Sequence, residues 1–175
     1  MLPPTHARPG RARRRTIRVL AAGAVMGIAV AGGAVPAGAA PPAPAGPTVA
    51  LEPATLAQME SDLADLINFE RWARGGQTIP FHTGLADQAR TWSAFMAYFG
   101  ELFHHGDLAG QADQIWGGWT GVAENVGRGA DIYAIHRAFM ASAPHRSNVL
   151  GDWRTVGVGL HEARGQLWAT VRFLR

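Results

Sequence analysis

No cysteine occurs in the 175 residues, so this chain can be held only by a core of packed side chains and never by disulfides. The constraint matters because the N-terminus reads as an export signal, and small exported domains often rely on disulfides. Met1 to Arg18 carries six arginines, at positions 8, 11, 13, 14, 15 and 18, and no acidic residue. An uncharged Ala/Gly/Val stretch follows from Val19 to Val35. It closes on Ala37-Gly38-Ala39, the small-x-small pattern at which signal peptidase cuts. Residues 1–39 are therefore expected to be a cleaved signal peptide, and the product to be secreted into the medium or the cell envelope. The apolar run is rich in Gly and Ala and falls short of the ~20 strongly apolar residues of a span, so no membrane span is expected after cleavage. Arg14-Arg15 would admit a twin-arginine route, but the hydrophobic residues behind it match poorly, which favours the ordinary secretory route.

Export also changes the electrostatic reading. Six of the 16 basic residues lie in the signal and all 13 acidic residues lie beyond it, so the exported part carries about −3 instead of +3. The basic pI belongs to the signal, and nucleic acid is not an expected partner. The remaining 136 residues suit one domain that buries about two-thirds of its unfolded surface, with six Trp and seven Phe to fill it.

Residues 40–50 form a Pro/Ala-rich, uncharged linker, with Pro41, Pro42, Pro44 and Pro47, and the folded domain is expected over 51–175. Leu56, Met59, Leu63, Leu66 and Ile67 recur at helical spacing up to Gly75-Gly76. A second helix is expected to be capped by Thr83, to pack through Leu85, Ala89, Trp92, Met96 and Phe99, and to stop at Gly100. Leu102 to Gly121 shows no clean period and reads as a long loop with room for a short helix. Val122, Glu124 and Val126 alternate as in a short strand. Asp131 caps a third helix with Ile132, Ile135 and Phe139 on its apolar face, expected to end by Pro144. Val156 to His161 and Leu167 to Phe173 alternate on either side of a turn at Glu162 to Gly165, which is a hairpin. Helices followed by about three antiparallel strands point to an α+β layered domain.

Several reaction types lack their motifs. There is no Gly-x-Ser-x-Gly elbow and no phosphate-binding glycine loop. His161-Glu162 is not followed by a second histidine four residues on, so it starts no zinc-protease helix. Three features remain. Glu124 shares its strand face with two valines and needs a hydrogen-bonding or charged neighbour, because burying an unpaired carboxylate costs several kcal/mol. His145 follows Pro144 where the backbone is expected to be non-helical. Of His104-His105 only one ring is expected to face a given site, since successive extended residues point to opposite sides. His82, His136 and His161 have no such context and read as structural or exposed.

Together these residues resemble the CAP superfamily of cysteine-rich secretory proteins, antigen 5 and pathogenesis-related proteins, especially its bacterial secreted members. The resemblance runs from about Ala54 to Leu174. It is carried by Asn68-Phe69-Glu70-Arg71, by Phe103-His104-His105 with Leu108, and by Ala123-Glu124-Asn125-Val126-Gly127. Phe139 to Leu150, containing Ser142-Ala143-Pro144-His145-Arg146-Ser147-Asn148, and Val156-Gly157-Val158-Gly159 complete it. It implies a three-layer α-β-α sandwich whose cleft holds two His and two Glu. By position His104 resembles the first histidine, Glu124 the acid of the Glu-Asn motif and His145 the second histidine. Asn125 falls beside them, and Ser142 stands where the second glutamate would fall.

On that resemblance the cleft is expected to bind Zn²⁺ weakly through His104, His145 and Glu124, with Glu124 as a ligand or as the partner that orients one. The expected function is a binding module for a small apolar ligand, a cell-wall component or an extracellular protein, without a settled reaction. The alternative is a hydrolase of peptide or cell-wall substrates in which Glu124 or a histidine activates water.

Overall fold

A computed structural model of the chain describes residues 54–175 and the backbone of a short strand, β1 (Val19–Ala21). Apart from that strand, the expected signal peptide 1–39 and linker 40–50 lie outside the described residues. In order follow α1 (Leu56–Ala73), α2 (Thr83–Phe99), α3 (Leu108–Ile115), β2 (Val122–Gly129), α4 (Ile132–Ala141), α5 (Ala143–Leu150), β3 (Thr155–Ala163) and β4 (Gln166–Leu174). The sheet order is β1-β2-β4-β3. The neighbours β2 and β4, and likewise β4 and β3, run antiparallel, and β1 lies parallel to the start of β2.

Alternation along the strands sorts residues between two helical layers. Ala123, Val156, Val158, Leu160, Ala169, Val171 and Phe173 enter one core with Leu63 and Ile67 of α1, Ile135 and Phe139 of α4 and Val149 of α5. On the opposite face Val122 and Leu174 pack with Leu85 of α2 and Leu108 of α3, and Val126 and Trp168 pack with Met96. Both faces of the sheet are covered, which makes the expected α-β-α sandwich. Its strands are buried almost throughout, so Glu124 is sealed under a helical layer. No helix among the described residues is long and apolar enough to cross a membrane.

Part of the expected punctuation is present: Asp131 caps α4 by accepting from the Ala134 N–H, and Gly100 ends α2 in the left-handed region. The structure adds Thr55 as the cap of α1. Arg164 and Gly165, both at positive φ, turn the β3-β4 hairpin as a two-residue connection.

Three expectations need correction. The cap of α2 is His82, whose Nδ1 accepts from the Leu85 N–H at 3.3 Å; Thr83 is the first helical residue. The stretch 102–121, by contrast, holds the short helix for which it left room, α3, two turns capped by Asp107. Pro144 does not leave 143–148 non-helical: α4 ends at Ala141, and Pro144 sits in the first turn of α5, where a proline needs no hydrogen-bond donor. Finally, the buried face of α2 is rotated from the expected one. Leu85, Ala86, Ala89, Ser93, Met96 and Ala97 are buried, while Phe99 is 56% exposed. The small residues win this face because β3 presents Gly157 and Gly159 to it.

Candidate functional site

Glu124 of β2 lies directly across from Arg172 of β4, and both side chains are buried beneath α2 and α3. Arg172 Nε donates to Glu124 Oε2 at 3.0 Å, and its Nη1 donates to Gln88 Oε1 of α2 and Gln111 Oε1 of α3. Its other terminal nitrogen, Nη2, is buried without a partner among the described residues. Burial pushes the guanidinium pKa down and the Glu124 carboxylate pulls it back up. The charged neighbour that Glu124 requires is therefore an arginine.

The other carboxylate oxygen faces the loop before α3. Oε1 accepts from the His105 backbone N–H at 2.9 Å and lies 3.1 Å from His104 Nδ1. A carboxylate paired with Arg172 is an acceptor only, so His104 Nδ1 carries the proton of this bond and a neutral ring keeps its lone pair on Nε2. His105 turns the opposite way. Its Nδ1 accepts from the Asp107 N–H and its ring meets Trp92 at 4.5 Å, so of the pair it is the His104 ring that meets Glu124.

Asn125 points to the other face of β2 and anchors α5. Its Nδ2 donates to the His145 carbonyl at 3.0 Å, and its Oδ1 accepts from Asn148 Nδ2 at 2.8 Å. Asn148 also donates to the Glu124 carbonyl, and its own carbonyl accepts from Trp153 Nε1. His145 is thereby held against β2, buried, with its ring against Phe139. Burial first and repulsion by His104 second lower its pKa, which favours the neutral imidazole. Thus His104 comes from one helical layer and His145 from the other, with charges close enough to oppose each other. Ser142 sits half-buried at the α4-α5 junction and makes no capping bond with its side chain.

Sequence reading missed Arg172, Gln88, Gln111 and Asn148. One signal was available: an arginine interrupts the last strand on the face that alternates with Leu167, Ala169, Val171 and Phe173, and a buried arginine demands an acid. The Asn68-to-Arg71 motif is scaffold. Asn68 exchanges hydrogen bonds with both backbone groups of Ile79, and Arg71 donates to the carbonyls of Gln77, Val149 and Gly151.

The residues fit a divalent cation only in part. Both oxygens of Glu124 are committed, and among the described residues no three His, Cys, Asp or Glu side chains are grouped to hold an ion. What they offer is two imidazoles, one of them oriented from behind by a carboxylate, as histidine ligands commonly are.

Residues 64–173 match the cysteine-rich secretory protein family, CAP. The chain belongs to that family. Solved CAP-fold structures agree with it in architecture. An extracellular protein containing an SCP domain from Bacillus anthracis superposes with TM-score 0.60 at 22% identity, over 71% of this chain and 45% of its own. An outer surface protein from Borrelia burgdorferi gives 0.58 at 14%, over 66% of this chain and 90% of its own. A cysteine-rich secretory protein from Staphylococcus aureus gives 0.53 at 24%, over 66% and 38%. At these identities the likeness is one of fold, and this CAP chain spans less than half of the Bacillus and Staphylococcus chains. No curated protein matches it.

Two buried histidines of this CAP domain make its stability pH-dependent. Burial lowers the pKa of His136 below 6.5, with Glu70 opposing and Arg137 and Arg74 assisting, and His145 shifts the same way. Above the unfolded value of about 6.5 both states are neutral and nothing is lost. As pH falls below it the unfolded chain takes up protons first, so stability declines down to the folded pKa values. Urea unfolding at stepped pH is expected to show this decline, and His136→Gln to flatten it; an equal slope in that variant would remove His136 as a cause.

Proposed function

We propose that this CAP protein is a binding module working outside the cytoplasm, with a cleft that takes a divalent cation weakly through His104 and His145. The observation carrying this reading is the hydrogen-bonded chain Arg172-Glu124-His104, with the buried His145 near enough for His104 to help lower its pKa. In it Glu124 fixes the tautomer of His104, and any remaining ligand positions fall to water or to a bound partner. An export signal over residues 1–39 supports the location, as do the Bacillus and Borrelia neighbours, described as extracellular and outer-surface proteins. The partner would be a small apolar ligand, a cell-wall component or an extracellular protein.

Calorimetric titration with Zn²⁺ tests this directly. The wild type is expected to show saturable uptake, the His104→Ala/His145→Ala variant none, and Glu124→Gln an affinity roughly 10–100-fold weaker. Equal uptake by the wild type and the double variant would sink the proposal. A hydrolase of peptide or cell-wall substrates would have to take its base from His104 or His145, because Glu124 is enclosed and already accepts three hydrogen bonds. Turnover abolished by His145→Ala would favour that reading.

A further inference from the structure

The rotation of α2 that buries its small residues leaves an aromatic ridge on its outer face. Phe95 is 44% exposed, Tyr98 79% and Phe99 56%. Their rings form a row, Tyr98 to Phe99 to Phe95 to Trp92, with successive centres 5.1, 4.8 and 5.1 Å apart, and Phe103 flanks it. Packing does not explain the row, since these rings face outward, and contiguous exposed apolar surface of this kind marks an interaction site. Trp92 cannot donate to a ligand, as its Nε1 already donates to the Phe103 carbonyl. The Tyr98 phenol can.

The sequence contains a segment with matching chemistry. Pro41, Pro44 and Pro47 recur every third residue in Pro41-Pro42-Ala43-Pro44-Ala45-Gly46-Pro47. A polyproline II helix has three residues per turn, so these three would share one edge, about 9 Å apart. Uncharged proline edges of this type dock on aromatic surfaces at little cost in entropy. The ridge is long enough to meet two successive prolines of that edge.

Reach is not limiting. Arg90 of α2 pairs with Glu60 of α1 at 2.7 Å, so the beginning of α1 lies beside the middle of α2. Phe95 and Phe99 are five and nine residues beyond Arg90, or about 8 and 14 Å along the helix. Pro47 precedes Leu56 by nine residues, which span up to about 30 Å.

We propose that the aromatic ridge of α2 binds the chain's own proline segment, residues 41–47, in a polyproline II conformation. Removal of residues 1–39 would keep the segment. The ridge continues through Trp92 and His105 into the loop that supplies His104.

Photo-crosslinking in the full chain tests this. With p-benzoylphenylalanine in place of Tyr98, irradiation is expected to give an intramolecular crosslink, running as monomer, that mass spectrometry maps to residues 41–47. The Pro41→Ala/Pro44→Ala/Pro47→Ala variant is expected to lose it while keeping the circular dichroism of the parent. Both sets of substitutions are at exposed or linker positions, so folding should not confuse the result. Crosslinks only between two copies would identify the ridge as a self-association surface and overturn the proposal. So would crosslinks from the parent chain that map elsewhere, or a yield unchanged by the proline substitutions.

Discussion

Replacing Arg172 by Met is expected to cost about 3–5 kcal/mol, because it strands a fully enclosed carboxylate without its cation. For a domain of this size that is a fall in Tm of roughly 10–20 °C. The loss comes less from the ion pair's own worth than from what remains: Glu124 keeps two polar contacts at Oε1 but none at Oε2, and the amide oxygens of Gln88 and Gln111 lose a shared donor. Coupling is the sharper test. If Arg172 serves chiefly to balance Glu124, then Glu124→Gln/Arg172→Met should be more stable than the sum of the two single effects predicts, by ~2 kcal/mol, as expected for residues in one network. Urea unfolding of the four proteins measures this, and strict additivity would show that the pair is not the unit described here.

Arg172 also marks where sequence reading stopped. The hydrophobic alternation in β3 and β4 follows from the two-residue period of a strand, and the cap at Asp131 follows from local chemistry, so these were legible. Glu124 was legible as a demand: a carboxylate among valines must have a partner. Its partner was not, because cross-strand register links positions 48 residues apart and no local rule supplies it. Helix α5 was hidden for a different reason. Pro144 discourages helix in the residue before it, yet in a first turn it is favoured, and only the packing of Val149 and the hold of Asn125 on the His145 carbonyl decide between these. The outer face of α2 shows the limit of periodicity. Phe99 and Trp92 fit an apolar stripe as well as Ala89 and Met96 do, and the sheet's glycines select which part of the stripe goes inside.

That selection leads to the other large effect. Gly159→Ala is expected to destabilise the domain by ~3 kcal/mol or more, at or beyond the usual range for overpacking. A Cβ on Gly159 would fall on the backbone nitrogen of Arg90 and the carbonyl carbon of Ala89, and one on Gly157 would fall on the backbone at Leu85 and Ala86. None of these atoms is the tip of a flexible side chain, so relief requires α2 to lift from β3. Lifting breaks the bonds from Ser93 Oγ to the Gly159 carbonyl and to Thr170, and strains the Arg90-Glu60 pair. It also carries away Gln88, one of the two amides on Arg172, so the cation behind Glu124 loses support even though Gly159 touches neither. Gly106→Ala is the control, since its Cβ would meet nothing within 4 Å, and it should cost no more than ~0.5 kcal/mol. Equal effects of the two substitutions in urea unfolding would mean that the helix is not seated on the glycines. A large gap between them, with weakened Zn²⁺ uptake in Gly159→Ala alone, would show that the close approach of α2 to the sheet shapes the cleft as well as the core.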